Sequence, residues 1–201
     1  MSAIIKLMTY KKQEFNIPSL KGLSEKQIEV HLGLYAGYVK HVNLIAEKLR
    51  EGAEGKDAYT SAELRRRFAF EFDGMRMHEN YFEQLEGGNA ELDGGGALAK
   101  AVSTKYGDVS GFLDHIKEVA GSRGIGWVTV YYDKKARTIH TVFVGDHEIG
   151  HLSGLPVLFA LDMWEHAFMV DYIPSEKAKY VDAFLANTNW TVAEDRFAKV
   201  K

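Results

Sequence analysis

The chain of 201 residues contains no cysteine. That absence excludes a disulfide framework, a thiolate metal site, an iron–sulfur cluster and a cysteine nucleophile. Any metal must be held by His, Asp or Glu. An excess of one charge sign is lacking too: 25 Lys plus Arg against 28 Asp plus Glu leave a formal net charge of -3. No large basic excess exists to neutralise a phosphate backbone, so nucleic acid is not an expected partner. No run approaches the roughly 20 apolar residues of a membrane span. The opening MSAIIKLMTYKK carries a short apolar patch without a signal-peptide cleavage site. The expectation is a soluble cytoplasmic protein with no membrane partner. At 46% apolar and 26% charged residues, it has globular composition, sized between one large domain and two small ones.

What is present begins with helices. Ser24 and Gln27 form an S-x-x-Q capping box that opens a long helix closed by Gly52. Its apolar stripe runs Ile28, His31, Tyr35, Tyr38, Val42, Ile45, Leu49, one face of a 3.6-residue period. EGAEGKDAY reads as a loop, and Thr60 with Glu63 as the cap of a second helix with the stripe Leu64, Phe68, Met75, His78, Phe82, Leu85. Gly94-Gly95-Gly96 reads as a loosely constrained hinge, which places a boundary between a helical hairpin domain, 1–93, and an α+β domain, 94–201. In the second part, helices are expected at 97–106 and 109–121. Strands follow at WVTVYYD and RTIHTVFVG around the turn Lys134-Lys135-Ala136, and a third strand is the apolar run Leu155–Leu161, covered on both faces. Helical patterning returns over 164–171, 175–187 and 191–199.

Of eight histidines, His41, His115 and His140 read as ordinary surface or hydrogen-bonded residues. His31 and His78 differ because each lies on the inward stripe of its helix, and an antiparallel pair brings such stripes together. A buried imidazole without a partner costs about 1–3 kcal/mol, so the two either share a metal or find core hydrogen bonds. Asp162 and His166 in DMWEHAF are four apart, close enough to face one another across one helical turn. Asp162 is then a buried carboxylate that needs a cation, or a cap for a helix starting near Trp164. His147 and His151 form H-x-x-x-H, a zinc pair if helical, but Gly150 and Gly154 argue for a loop.

The ordered segments IEVHLG, GYVKHVN, MHENYF, GIGW, LDMWEHAFMVDY and NTNW resemble the iron/manganese superoxide dismutases over about residues 15–197. The resemblance implies a helical hairpin plus an α/β part with a three-stranded antiparallel sheet. It implies His31, His78, Asp162 and His166 as ligands of one Fe or Mn ion per subunit, with solvent in a fifth position. Such a nitrogen and oxygen set suits either metal in both oxidation states. The implied reaction disproportionates superoxide to oxygen and hydrogen peroxide. Tyr38 resembles the family's gateway tyrosine. Gly74 stands where the iron-type members place a glutamine four residues before the ligand His78, and His147, fifteen residues before Asp162, stands where some members carry a histidine instead. His147 is therefore the expected contact to metal-bound solvent, with His151 as competitor. Trp127 and Trp164 look like the aromatic wall.

Departures from the family are also visible. One residue fewer separates His31 from Tyr38, implying a deletion or a local helix distortion. Leu34, Tyr35 and Met169 replace both halves of a subunit-bridging pair, whereas the retained Glu165 implies a homodimer or homotetramer with that residue near the interface. Ile173-Pro174 replace basic residues, leaving Lys177 and Lys179 to attract an anion. Ala160 lies where side-chain size tunes redox potential. Two other functions compete: a catalytically impaired metal-binding homologue with a structural or storage role, and a hydrolytic zinc site on His147 and His151.

Overall fold

The computed structural model describes residues 9–52 and 57–201. The opening apolar patch and the middle of the EGAEGKDAY loop lie outside them. Helix α1 (Glu25–Gly52) and helix α2 (Ala58–Glu83) form the long hairpin. Their stripes are buried as the 3.6-residue period requires, with Tyr35, Val42, Met75 and Phe82 fully enclosed. The caps differ from the sequence reading. Asp57, not Thr60, caps α2, its side chain accepting from the Thr60 amide at 3.1 Å. Ser24 does cap α1, accepting from the Gln27 amide at 3.0 Å. The Gln27 side chain does not return to the cap: Nε2 donates to the His166 carbonyl at 2.7 Å.

After α2 come α3 (Ala97–Tyr106) and α4 (Val109–Ala120), then strands β1 (Gly126–Asp133), β2 (Thr138–Gly145) and β3 (Val157–Asp162), and finally α5 (Lys177–Asn187) and α6 (Trp190–Val200). The architecture is α+β. The antiparallel sheet has the order β2-β1-β3. Central β1 is buried on both faces over seven residues, so its pattern lacks the alternation of a half-exposed strand, with Thr129 the polar exception in the run. In the register Trp127 stands opposite Val144 on one side and Asp162 on the other. The strand facing α2 therefore ends on a carboxylate aimed at the hairpin.

Two expectations for the second part need correction. Residues 164–171 are not an α-helix but a 3₁₀ turn at Glu165–Ala167 followed by further turns. The glycine cluster is not loose: Asp93 accepts from Gly95 at 3.0 Å through its side chain and from Gly96 at 2.8 Å through its carbonyl, and the Asp93 amide donates to Glu194. The carboxylate and carbonyl hold what the glycines alone leave free. Among the described residues no helix is long and apolar enough to cross a membrane.

Gly126 opens β1 at φ +152°, and a Cβ there would meet the Val144 carbonyl oxygen at 2.0 Å. Gly126→Ala is expected to destabilise the protein by about 2 kcal/mol or more, because backbone must move; an unchanged urea midpoint would refute this.

Candidate metal centre

Four side chains from four elements meet between the hairpin and the sheet. His31 comes from α1, His78 from α2, Asp162 from the end of β3, and His166 from the 3₁₀ turn. Their ligand-capable atoms all lie within 4.8 Å of one another. Asp162 Oδ2 is the hub, 3.1 Å from His31 Nε2, 3.1 Å from His166 Nε2 and 3.5 Å from His78 Nε2. Donors held about 2.1 Å from one small ion stand roughly 3–4 Å apart, so this spacing fits a single ion. His31, His78 and Asp162 are fully buried.

Local chemistry orients each group. His78 Nδ1 donates to the Gly74 carbonyl one helical turn back, at 2.6 Å. Its Nε2 lone pair is thereby aimed inward, and that atom has no hydrogen-bond partner among the described residues. His31 Nδ1 is likewise buried and unpartnered among them. Asp162 caps no helix, but its Oδ1 accepts from the Trp164 amide at 2.8 Å, while Oδ2 faces the histidines. Tyr180 Oη also donates to the Asp162 carbonyl, at 2.7 Å.

The electrostatics favour a cation. Burial pushes the His31 imidazole down and His78 well down, toward their neutral forms. The carboxyl of Asp162 is also pushed down, though for a different reason: burial alone would raise it, but His166 and His31 outweigh that and hold it well below the usual carboxylate range. An ionised carboxylate buried beside His31 and His78, which burial drives toward neutrality, is a negative charge that calls for a positive partner.

Beside this cluster lies a proton-bearing pair. Trp127 Nε1, which can only donate, gives its hydrogen to His147 Nδ1 at 2.9 Å. The neutral His147 then carries its proton on Nε2, 2.6 Å from Tyr38 Oη. Tyr38 accepts there, so its own O–H is free to donate. Burial pushes the Tyr38 phenol up and the His147 imidazole down to about 4. Gly74 makes the arrangement possible, since a Cβ there would meet the Tyr38 ring at 2.7 Å. Tyr38 also lines an open cavity of about 340 Å³ with Leu34, His41, Arg67, Phe70 and Trp164. Trp164 stacks on His147 at 4.7 Å and Trp127 meets His78 edge-on at 5.0 Å, in keeping with the expected aromatic wall.

Several site expectations change. His151 does not reach the cluster: Nδ1 pairs with Tyr131 Oη at 2.5 Å and Nε2 with the His147 carbonyl at 2.8 Å. With all four ring nitrogens of His147 and His151 engaged, no zinc pair forms. Lys177 donates to the Ser122 carbonyl and Lys179 pairs with Glu176. Neither lines the cavity; Arg67 does, its guanidinium 3.6 Å over the Phe70 ring. Helix α1 runs unbroken through His31 and Tyr38, so no helix distortion accompanies the shorter spacing. The linear pattern does not reveal the parts played by Gln27, Gln84, Arg67 and Tyr180, and only the polar Gln27 beside an inward stripe offers a signal.

A helical hairpin closed by an α+β part around three histidines and one aspartate defines a candidate mononuclear metal centre. The family model for the C-terminal domain of iron/manganese superoxide dismutases matches residues 94–196. A superoxide dismutase [Fe] of Cupriavidus metallidurans is 37% identical, covering 89% of this chain and 90% of the relative. A superoxide dismutase [Fe] of Saccharolobus solfataricus is 30% identical over 88% and 86%. A mitochondrial superoxide dismutase [Mn] of Glossina morsitans morsitans is 30% identical over 88% and 82%. The chain belongs to the iron/manganese superoxide dismutase family.

The depressed His147 value has a definite sign. Between its ordinary 6.5 and about 4, the unfolded chain takes up a proton that the folded one refuses, so the stability present above pH 6.5 is lost as pH falls. Urea titrations of metal-free protein are expected to show that loss, and His147→Gln to reduce it by roughly 1–3 kcal/mol; equal pH slopes for the two proteins would count against it.

Proposed function

We propose that the protein is a superoxide dismutase that converts two superoxide ions and two protons into oxygen and hydrogen peroxide. His31, His78, Asp162 and His166 hold one Fe or Mn ion in this reading. The observation that carries it is the convergence of three Nε2 atoms on Asp162 Oδ2, with His78 Nε2 otherwise unpartnered among the described residues. When bound, the ion supplies a one-electron couple that takes an electron from one superoxide and gives it to a second. Asp162 supplies the negative charge and the imidazoles supply nitrogen lone pairs. Tyr38 stands between the open cavity and His147, where its free O–H can deliver a proton to an anion arriving from solvent. His147 fixes that orientation, and Trp127 fixes the His147 tautomer. Arg67 lines the same cavity, where it is paired with Glu71 Oε1 at 2.8 Å.

The division into domains at residues 93 and 94 belongs to the same proposal, supported by the family's C-terminal match starting at residue 94. So does a homodimer or homotetramer with Glu165 near the interface. Exposed Val30 and Leu34 on α1, with exposed Met169, Val170 and Ile173 after the 3₁₀ turn, support an apolar contact there.

Metal-loaded protein is expected to remove superoxide with near-stoichiometric Fe or Mn. His78→Ala should lose the metal, whereas His147→Ala should keep it while depressing activity and shifting its pH dependence. Full metal content without superoxide removal would leave the non-catalytic metal-binding role instead. Separately, Gly74→Ala should displace the Tyr38 ring and lower activity several-fold with metal retained; activity equal to the parent would show that the ring adjusts without consequence.

A further inference from the structure

Two fully buried glutamines take no part in the proton network, yet each commits its whole side-chain amide to a segment that carries a ligand. Gln27 lies four residues before His31 on α1, on the same face. Its Nε2 donates to the His166 carbonyl at 2.7 Å, and its Oε1 accepts from the Val170 amide at 2.9 Å. Gln84 ends α2, six residues after His78. Its Nε2 donates to the Ala160 carbonyl at 2.8 Å and its Oε1 accepts from the Ala160 amide at 3.0 Å. Ala160 is two residues before Asp162. Each helix that bears a histidine is thus tied to the backbone at or near the ligands of the other half.

A side-chain amide donates and accepts together without any change of protonation. The bonds use backbone partners, so they leave all four ligand-capable atoms free. We propose that Gln27 and Gln84 are positioning residues of the metal centre, setting the spacing of the donor atoms and with it the hold on the ion. The inference rests on the ligand assignment above. Gln27 acts most directly, because the carbonyl it holds belongs to His166 itself. A displacement of that peptide swings the imidazole away from His31, and a metal site tolerates only about 0.5 Å of such movement.

Asn187 provides an internal control. It makes the same kind of clamp, accepting from the Lys21 amide at 3.0 Å and donating to the Lys21 carbonyl at 2.8 Å, but neither end carries a ligand. The experiment compares metal-loaded Gln27→Glu, Gln84→Leu and Asn187→Leu by release of Mn or Fe to a chelator and by the absorption spectrum of the bound trivalent ion. Gln27→Glu removes the donor and sets a carboxylate against the His166 carbonyl. Gln27→Met is the milder replacement if that protein fails to fold. The glutamine variants should release metal roughly 10- to 100-fold faster, with an altered spectrum. Asn187→Leu should lower the melting temperature and leave both readouts unchanged. Glutamine variants that melt earlier but match the parent in release and spectrum would overturn the proposal. His78→Ala, measured alongside, separates the two failures: if it keeps its metal the ligand assignment falls, and if it loses metal while the glutamine variants behave as the parent, only the clamp does.

Discussion

A single carboxylate, enclosed without water-facing surface and ringed by imidazoles, is the constraint on which the structure turns. Asp162 closes the last strand of the sheet, and its charge cannot be left alone in so dry a place. The two helices answer with His31 and His78, and the 3₁₀ turn with His166. Hairpin and sheet are packed against each other through one continuous core, so the polar centre sits inside an apolar frame that excludes competing solvent. A low local dielectric strengthens every interaction within it.

Around that centre, Gly74, Tyr38 and His147 depend on one another. Gly74 leaves a space, the Tyr38 ring fills it, and His147 arrives from the loop between β2 and β3 to meet the phenol. The loop is held by paired backbone bonds between Gly145 and Ile149, and Trp127 fixes which His147 nitrogen bears hydrogen. Small side chain, aromatic ring and imidazole form one unit, and none of the three has its role without the others.

The helices and the β1–β2 hairpin are legible in the sequence because they follow from period and spacing, and so are two inward histidines on helical stripes and a carboxylate at the end of an apolar run; that these join His166 in one set is implied only by the family resemblance. What stays hidden depends on direction rather than position. Gln27 has the spacing of a capping box, yet the His166 carbonyl lies within its reach and proves the better partner. Residues 164–171 have helical composition, but Asp162 already holds the Trp164 amide and Tyr180 the Asp162 carbonyl, and these bonds divert the chain into a short turn. Lys177 and Lys179 have the charge to attract an anion, but local acceptors claim both. Arg67 lies on a helix face whose neighbours no linear pattern identifies.

The proposed ligands are spread along the chain, with His31 on the first helix and His166 beyond the last strand. During synthesis on the ribosome, the early histidines emerge long before their partners, and no partial product ending ahead of β3 contains a complete coordination set. On the proposed assignment, an ion can find its full set of donors only once the sheet has formed.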